Sequence, residues 1–136
     1  MTYEVGRESP VSEPPHRVVS LVPSVTESLF ELGVGDRVIA ITDYCTHPEE
    51  SVANLPRVGG TKNPDIARIV AMQPDLVILN QEENRREDAE ALQAAEIPIW
   101  VTFPRTVRDA FNLLWSIMDV FDQPLMVERV RSLEWT

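Results

Sequence analysis

The segment Gly59-Gly60-Thr61-Lys62 combines residue types that could contact an anionic ligand. Its glycines allow the backbone to approach a ligand closely. The helix predicted to follow offers free N–H groups at its positive end, and Lys62 adds a charge there. The spacing is not that of a nucleotide-binding P-loop, and a tight turn that simply precedes the helix explains the same residues equally well.

A second candidate segment is Asp43-Tyr44-Cys45-Thr46-His47. Asp43, Cys45 and His47 alternate, as metal ligands on an extended loop would. A zinc site needs a third or fourth strong ligand, which Glu49 or Glu50 would have to supply. We therefore expect no metal site and interpret Cys45 as a small packed residue. Tyr44 is the stronger candidate, because an aromatic ring near a strand end can stack on a ligand ring.

Two further polar loops follow apolar runs of the chain. Asn80 and Gln81 come directly after such a run, where ligands bind in open α/β sheets. A solvated loop and a helix cap explain the residues behind them, Glu82, Glu83 and Asn84. In the last loop, Phe103 beside the guanidinium of Arg105 suits a flat anionic ligand, although a solvated arginine would look the same.

The sequence contains no recognisable set of nucleophile, base and acid. His16 precedes the first apolar run, and His47 is the other histidine. Ser24 lacks the G-x-S-x-G context of a hydrolase nucleophile. We predict that the protein is not an enzyme and that it has neither catalytic residues nor a covalently bound cofactor.

The elements that must position these loops form four strand–helix units. Their alternation predicts an α/β fold, a three-layer Rossmann-like lobe with a four-stranded, mainly parallel sheet flanked by helices. The predicted strands are 18–22, 37–42, 76–80 and 97–102. The predicted helix caps are Ser24 with Glu27, Asn63 with Pro64, Asn84 with Glu87, and Thr106 with Asp109.

Helix ends and inner faces follow from the same patterns. Gly33 and Pro74 are predicted to end the first two long helices, and a short helical turn is expected near 49–53. The predicted inner faces are Ala91, Leu92 and Ala95 in one helix and Ala110, Leu113, Leu114, Ile117 and Phe121 in the next. A last helix is expected from Leu125.

Composition limits the classes of function. The chain has 136 residues and a formal net charge of −10, which argues against nucleic acid or an anionic membrane as the main partner. No apolar run approaches the length of a membrane span, and the N-terminus does not resemble a secretory signal. We expect a cytoplasmic protein from the sequence as written, or a periplasmic or cell-surface one if a precursor segment is missing.

Three segments together resemble a known family: R-V-V-S-L-V-P-S-V-T-E-S-L-F-E-L-G, D-R-V-I-A-I-T-D-Y-C-T-H-P, and L-P-R-V-G-G-T-K-N-P-D-I-A-R-I-V-A-M-Q-P-D-L-V-I-L-N. They are similar to the helical-backbone (class III) periplasmic binding proteins, the cobalamin, siderophore and haem receptors of ABC importers. The resemblance spans Arg17 to Asp122. It implies two lobes joined by a long helix, of which this chain would be the N-terminal lobe alone.

The resemblance also implies domain limits, a ligand and a partner. It makes 1–15 a flexible arm, 16–123 the lobe and 124–136 the start of a truncated backbone helix. The ligand would be a metal chelate such as cobalamin, a ferric siderophore or haem, and the partner an ABC permease. Carried over by position, the ligand-binding residues would be Pro23, Ser24, Thr26, Tyr44, Gly60, Thr61, Lys62, Asn80, Gln81, Phe103 and Arg105.

Two departures from the family pattern accompany this resemblance. Thr61 and Asn80 stand where cobalamin receptors are expected to carry aromatic clamps, and Ala67 stands where the family has a carboxylate for docking on the permease. The alternative hypothesis is a cytoplasmic interaction or assembly module of the same fold. Such a module would form a homodimer through its C-terminal helix, whose apolar stripe lacks a partner in the sequence.

Overall fold

A parallel sheet of four short strands organises the molecule. The computed structural model describes residues 13–121. Its strands are β1 (Val18–Ser20), β2 (Val38–Ile41), β3 (Leu76–Asn80) and β4 (Ile99–Thr102). They lie in the order β2-β1-β3-β4, and every pairing is parallel. The α/β fold predicted from the alternation of elements is confirmed, and β3 has the predicted bounds.

Helices cover both faces of this sheet. They are α1 (Pro23–Glu31), α2 (Glu49–Val52), α3 (Ile66–Met72), α4 (Arg86–Ala94) and α5 (Val107–Phe121), with a short 3₁₀ helix at Gly35–Arg37. Successive strand residues point to opposite faces, so Val18 packs with α1, α2 and α5, while Val19 packs with α3 and α4. The predicted three layers are therefore present.

The strand order creates a topological switch point between β1 and β3. From β1 the chain passes through α1 to β2 on one side, and from β3 it passes through α4 to β4 on the other. Where neighbouring connections leave in opposite directions, the loops at the carboxyl ends of the strands open a crevice. This crevice is where a ligand site is expected.

The first helix begins differently from the prediction and ends as predicted. Pro23 is its first residue, and the N-cap is Val22, whose side chain cannot accept a hydrogen bond. The predicted Ser24 cap is wrong, because proline suits the first helical position and moves the start one residue earlier. Gly33 has φ +83° just past the end, and Val34 donates to the Leu29 carbonyl at 2.9 Å, as in a Schellman motif.

The cap predicted for α3 is also wrong. The N-cap is Asp65, whose carboxylate accepts from the Arg68 N–H at 3.1 Å. Asn63 cannot cap this helix, because Pro64 forms an isolated antiparallel bridge with Gly59 before the helix begins. Pro74 follows the end of α3, as predicted.

In α4 and α5 one predicted cap fails and one is confirmed. Arg85 is the N-cap of α4, so Asn84 lies outside the helix. Ala89 and Leu92 are buried in α4, whereas the predicted Ala91 and Ala95 are exposed. In α5, the Asp109 N–H donates to the Thr106 hydroxyl at 3.0 Å, which confirms that cap. Of the stripe predicted for α5, Ile117 and Phe121 are buried, Leu113 and Leu114 are half-buried, and Ala110 is exposed.

The ends of the chain limit what can be compared with the sequence. Most of the predicted arm and all of the helix predicted from Leu125 lie outside the described residues. Pro15, at the end of the predicted arm, is buried, and its carbonyl accepts a hydrogen bond from Arg37 at 3.3 Å. Within residues 13–121, the helices are all too short or too polar to cross a membrane.

Candidate functional site

The loops that follow the four strands meet along one edge of the sheet, which we call the carboxyl edge (residues 21–24, 42–47, 80–85 and 102–106). Neighbouring strands are about 4.8 Å apart, so the loops after the outer strands β2 and β4 are separated by roughly 14 Å. Tyr44 lies at the β2 end, and Phe103 with Arg105 lies at the β4 end. The predicted aromatic residues therefore flank the edge on opposite sides.

A projecting loop at residues 59–64, which we call the Gly-Gly loop, reaches this edge from beyond β2. The segment before it runs beside β2, with the Val58 N–H donating to the Ile41 carbonyl at 2.9 Å. The loop closes at its base, where Gly59 bridges to Pro64 and the Asp65 N–H donates to the Val58 carbonyl at 2.7 Å. Gly59 has φ +96°, a conformation that favours glycine.

Tyr44 lies against the Gly-Gly loop. Gly60 is buried, and a β-carbon there would overlap the Asn63 side-chain oxygen and lie 3.4 Å from Cε2 of Tyr44. A side chain at position 60 would therefore require Asn63 to move, whereas the Tyr44 ring would lie at an ordinary contact distance. Tyr44 itself is 65% exposed, so one surface of its ring is open to a ligand.

Asn84 joins the Gly-Gly loop to two of the strands. It is 4% exposed, and its Nδ2 donates to the Leu21 carbonyl at 3.1 Å and to the Thr61 carbonyl at 3.0 Å. Its Oδ1 accepts from the Asn80 N–H at 2.7 Å. The sequence interpretation of Asn84 as a helix cap hid this role, because a polar residue before a helix looks the same in either case.

The polar atoms of Asn80 and Lys62 bond within the loops. Asn80 Oδ1 accepts from the backbone N–H groups of Glu82 at 2.8 Å and Glu83 at 3.1 Å, which forms an Asx turn. The Lys62 amine donates to the backbone carbonyl of Glu82. Gln81 is exposed beside them. Lys62 therefore connects the Gly-Gly loop to the loop after β3.

At the far end of the edge, the Arg105 guanidinium lies 5.5 Å from the centroid of the Phe103 ring. Arg105 is exposed and Phe103 is half-buried, so the stacked pair presents a cation on an apolar support. Val107 is 74% exposed beside this loop. The sequence patterns do not single out Val107, which begins α5 directly after the Thr106 cap.

The three ligand contacts predicted at the turn after β1 differ in their exposure. Ser24 is exposed and Pro23 is half-buried. Thr26 is completely buried, and its hydroxyl lies 2.9 Å from Ser20 Oγ and 3.2 Å from Cys45 Sγ. Thr26 has no exposed surface with which to contact a ligand, so it stabilises the turn instead.

The alternating Asp43, Cys45 and His47 are not brought together. Cys45 is buried, with its sulfur 3.3 Å from Thr42 Oγ1, whereas Asp43 and His47 are exposed. Among the described residues, no group of three or more histidine, cysteine, aspartate or glutamate side chains could hold a metal ion. The buried Cys45 is packed, as the sequence interpretation expected.

A cavity of about 450 Å³ lies to one side of the edge, beside α1. Glu27, Glu31 and His47 contribute to its lining, and Ser24 is the predicted site residue that it includes. The carboxyl edge also carries exposed acidic residues, Asp43, Glu82 and Glu83, so charge does not separate the two surfaces. We favour the edge as the binding surface because ligands of open α/β sheets bind at the carboxyl ends of the strands.

The sequence of residues 18–117 matches the family described as "Periplasmic binding protein". The chain belongs to that family. Its parallel sheet, with loops converging at the carboxyl edge, is thus the periplasmic binding protein fold.

Relatives of this periplasmic binding protein are longer than the chain. It is 33% identical over 113 residues to the vitamin B12-binding protein of Vibrio parahaemolyticus serotype O3:K6 (strain RIMD 2210633), a match that covers 83% of this chain and 41% of the relative. It is 34% identical over 111 residues to the one from Vibrio campbellii (strain ATCC BAA-1116), covering 82% and 40%. The chain thus spans about two fifths of these relatives.

Solved structures agree with this assignment. The periplasmic haem-binding protein RhuT from Roseiflexus sp. RS-1, in apo form, matches with a TM-score of 0.78 and 27% identity, over 88% of this chain and 46% of that chain. The periplasmic vitamin B12-binding protein BtuF of Vibrio cholerae has a TM-score of 0.72 and 24% identity, covering 88% and 45%. The second of these likenesses concerns the fold alone.

Proposed function

We propose that this chain is a ligand-binding lobe for a metal chelate, such as cobalamin, haem or a ferric siderophore, in ABC-type uptake. The observation that carries the proposal is the arrangement of the carboxyl edge. Tyr44 follows β2 and the Phe103–Arg105 pair follows β4, the two outer strands, whose ends lie roughly 14 Å apart by strand spacing. This span suits a broad, flat ligand that lies across the strand ends.

The ligands for which the relatives are named support this ligand class. The curated relatives are vitamin B12-binding proteins, and the structural neighbours include haem-binding proteins. Exposed Arg105 favours a ligand that carries carboxylates, as haem does. Thr61 and Asn80, where aromatic clamps were expected for cobalamin, favour haem or a siderophore over cobalamin.

The lobe would provide half of an enclosing site. Because the chain spans about two fifths of its relatives, we infer that a second lobe closes over the carboxyl edge in a complete receptor. A lone lobe buries less of the ligand, and we expect weak binding from it. The comparisons offer no support for the alternative of a cytoplasmic assembly module, whose helix lies outside the described residues.

An absorbance titration tests this function. The 136-residue chain is titrated with haemin, cyanocobalamin and a ferric hydroxamate siderophore in separate series. We expect saturable binding with a stoichiometry near one for at least one probe, and substantial loss of affinity in Tyr44→Ala. A shift of the same size in Glu96→Gln, an exposed position outside the carboxyl edge, would point to nonspecific adsorption. Absence of saturable binding of all three probes by the complete two-lobe receptor would overturn the proposal.

Docking on an ABC permease is a further part of this proposal. Ala67 is exposed on α3 at the position where the family carries a carboxylate. If the protein docks on a permease, a surface carboxylate at another position must make the contact. The matching measurement is stimulation of the ATPase of a candidate permease by the complete receptor, and no stimulation would remove this part while leaving ligand binding intact.

A further inference from the structure

Asn84 links its own loop after β3 to two segments that are distant in the sequence. Its side chain bonds to Leu21, directly after β1, to Asn80, the last residue of β3, and to Thr61, in the Gly-Gly loop. Leu21 and Thr61 lie 63 and 23 residues away along the chain. The side chain therefore sits at the switch point between β1 and β3.

The chemistry of an asparagine amide matches these three partners. Such an amide has two N–H donors on one atom and a carbonyl acceptor on the other. In Asn84 both donors bond to carbonyls, at 3.1 and 3.0 Å, and the acceptor receives an N–H at 2.7 Å. Aspartate would place an oxygen against the two carbonyls, and alanine would leave three backbone groups without this partner.

The bond to Thr61 acts at the tip of the Gly-Gly loop. The contacts that close the loop on itself lie at its base, at Gly59, Pro64 and Asp65. None of these base contacts involves Thr61 or Lys62. The Thr61 carbonyl and the Lys62 amine attach the tip to the loop after β3, the former through buried Asn84 and the latter through an exposed side chain.

We propose that Asn84 is a positioning residue for the ligand-binding edge. It holds the tip of the Gly-Gly loop over the switch point and so sets the fraction of molecules whose edge is ready to bind. At 4% exposure it does not itself contact the ligand. This inference rests on the proposed function, because the loop's position matters for affinity only if the edge binds a ligand.

Binding kinetics distinguish this role from a general contribution to folding. Stopped-flow mixing with haemin or cyanocobalamin, whichever saturates the wild-type chain, is performed on Asn84→Ala and Asn84→Asp at a temperature where both remain folded. A smaller competent fraction lowers the apparent association rate, and we expect a fall of about tenfold with little change in the dissociation rate.

Asp88→Asn is the matched control. Asp88 is also buried, at 5% exposure, lies in the first turn of α4, and bonds to Arg85. Replacing it weakens the pairing with Arg85 at the start of α4 but removes none of the three hydrogen bonds of Asn84. Its association rate should remain at the wild-type value. An equal fall in this control, or a change confined to the dissociation rate of the Asn84 variants, would overturn the inference.

Hydrogen exchange gives a readout that does not need a ligand. In Asn84→Ala, the amides of residues 60–63 should exchange at least several-fold faster, while those of α4 and β4 keep their wild-type rates. Unchanged exchange in the loop would overturn the inference even if no probe binds. Faster exchange in the loop together with no binding by the complete two-lobe receptor would support the positioning of the loop and refute only the proposed function.

Discussion

The Arg105 guanidinium stacks on Phe103 with 5.5 Å between its central carbon and the ring centroid. A second pair of the same kind, Arg37 over Phe121 at 5.8 Å, lies at the opposite end of the sheet, where β2 begins. The two pairs share their chemistry and differ in location. Comparing variants of the two arginines therefore separates an effect on ligand affinity from an effect on the stability of the fold.

Arg105→Ala should reduce affinity for haemin about tenfold, because an exposed cation facing a ligand carboxylate is lost, with a smaller loss for cyanocobalamin. Arg37→Ala should leave affinity unchanged and lower the free energy of unfolding by about 0.5–1 kcal/mol, the size of an exposed cation–π contact. Absorbance titrations and urea unfolding measure the two quantities. Equal affinities in both variants would exclude Arg105 from the site.

Lys62 is the only lysine in the sequence, which makes it accessible to selective chemistry. Lys62 lies at the tip of the Gly-Gly loop, and its amine contacts the Glu82 carbonyl in the loop after β3. A chelate bound at the carboxyl edge would cover this amine. Acetylation of Lys62, followed by mass spectrometry, should slow several-fold when the protein is saturated with the probe that it binds. The α-amino group serves as the internal reference.

The rate of acetylation discriminates among three arrangements of the ligand. If the ligand displaces Lys62 from Glu82 and leaves it in solvent, acetylation becomes faster on binding. If the ligand binds elsewhere, for example in the cavity beside α1, the rate does not change. Only slower acetylation supports a ligand that covers the loop tip.

The elements of the fold were predictable because their signals are local. The run Leu76–Asn80 is apolar up to its last residue, a pattern typical of a buried parallel strand. Thr106 and Asp109, three residues apart, form a helix cap. Gly33 ends α1 because a left-handed residue is needed there. Each of these depends on neighbours in the sequence.

The assignment of polar residues was not predictable in the same way. Ser24 and Asn84 both fit a capping pattern, yet the structure uses Pro23 to start one helix and bonds Asn84 to Leu21, 63 residues away. A side chain that can satisfy either a local or a distant backbone group gives the same sequence signal in both cases. Only the arrangement of β1 and β3 decides between them.

Gly59→Ala should destabilise the protein more than Gly33→Ala, although both glycines have positive φ. A β-carbon at Gly33 would meet no atom of the described residues within 4 Å, so alanine there costs about 1 kcal/mol of backbone strain. At Gly59 it would lie 2.9 Å from the Asn63 backbone oxygen, and the total should reach about 2 kcal/mol or more. Thermal and urea unfolding provide the comparison.

The same pair of variants tests the importance of the Gly-Gly loop for binding. The overlap at Gly59 must move the base of the loop, so affinity should fall in Gly59→Ala beyond what the loss of folded protein explains. Gly33 follows α1 and lies away from the carboxyl edge, and its variant should bind normally. Unchanged affinity in a folded Gly59→Ala would show that the loop does not shape the site.

Thr26→Val should lower the stability of the protein, whereas Ser24→Ala should lower its affinity for the ligand. Thr26 is completely buried, and its hydroxyl lies 2.9 Å from Ser20 Oγ. Valine therefore removes a buried hydrogen bond at a cost of about 1–2 kcal/mol and leaves the surface unchanged. Ser24 is exposed at the turn after β1, so its replacement should change stability by less than about 0.5 kcal/mol.

Affinity for the ligand should depend on Ser24 and not on Thr26. Ser24→Ala should weaken binding of the probe because a hydroxyl on the carboxyl edge is lost, while folded Thr26→Val should bind as the wild type does. Urea unfolding and absorbance titration of each variant measure both quantities. A loss of affinity in Thr26→Val larger than its loss of folded protein would mean that the turn after β1 opens on binding and exposes Thr26 to the ligand.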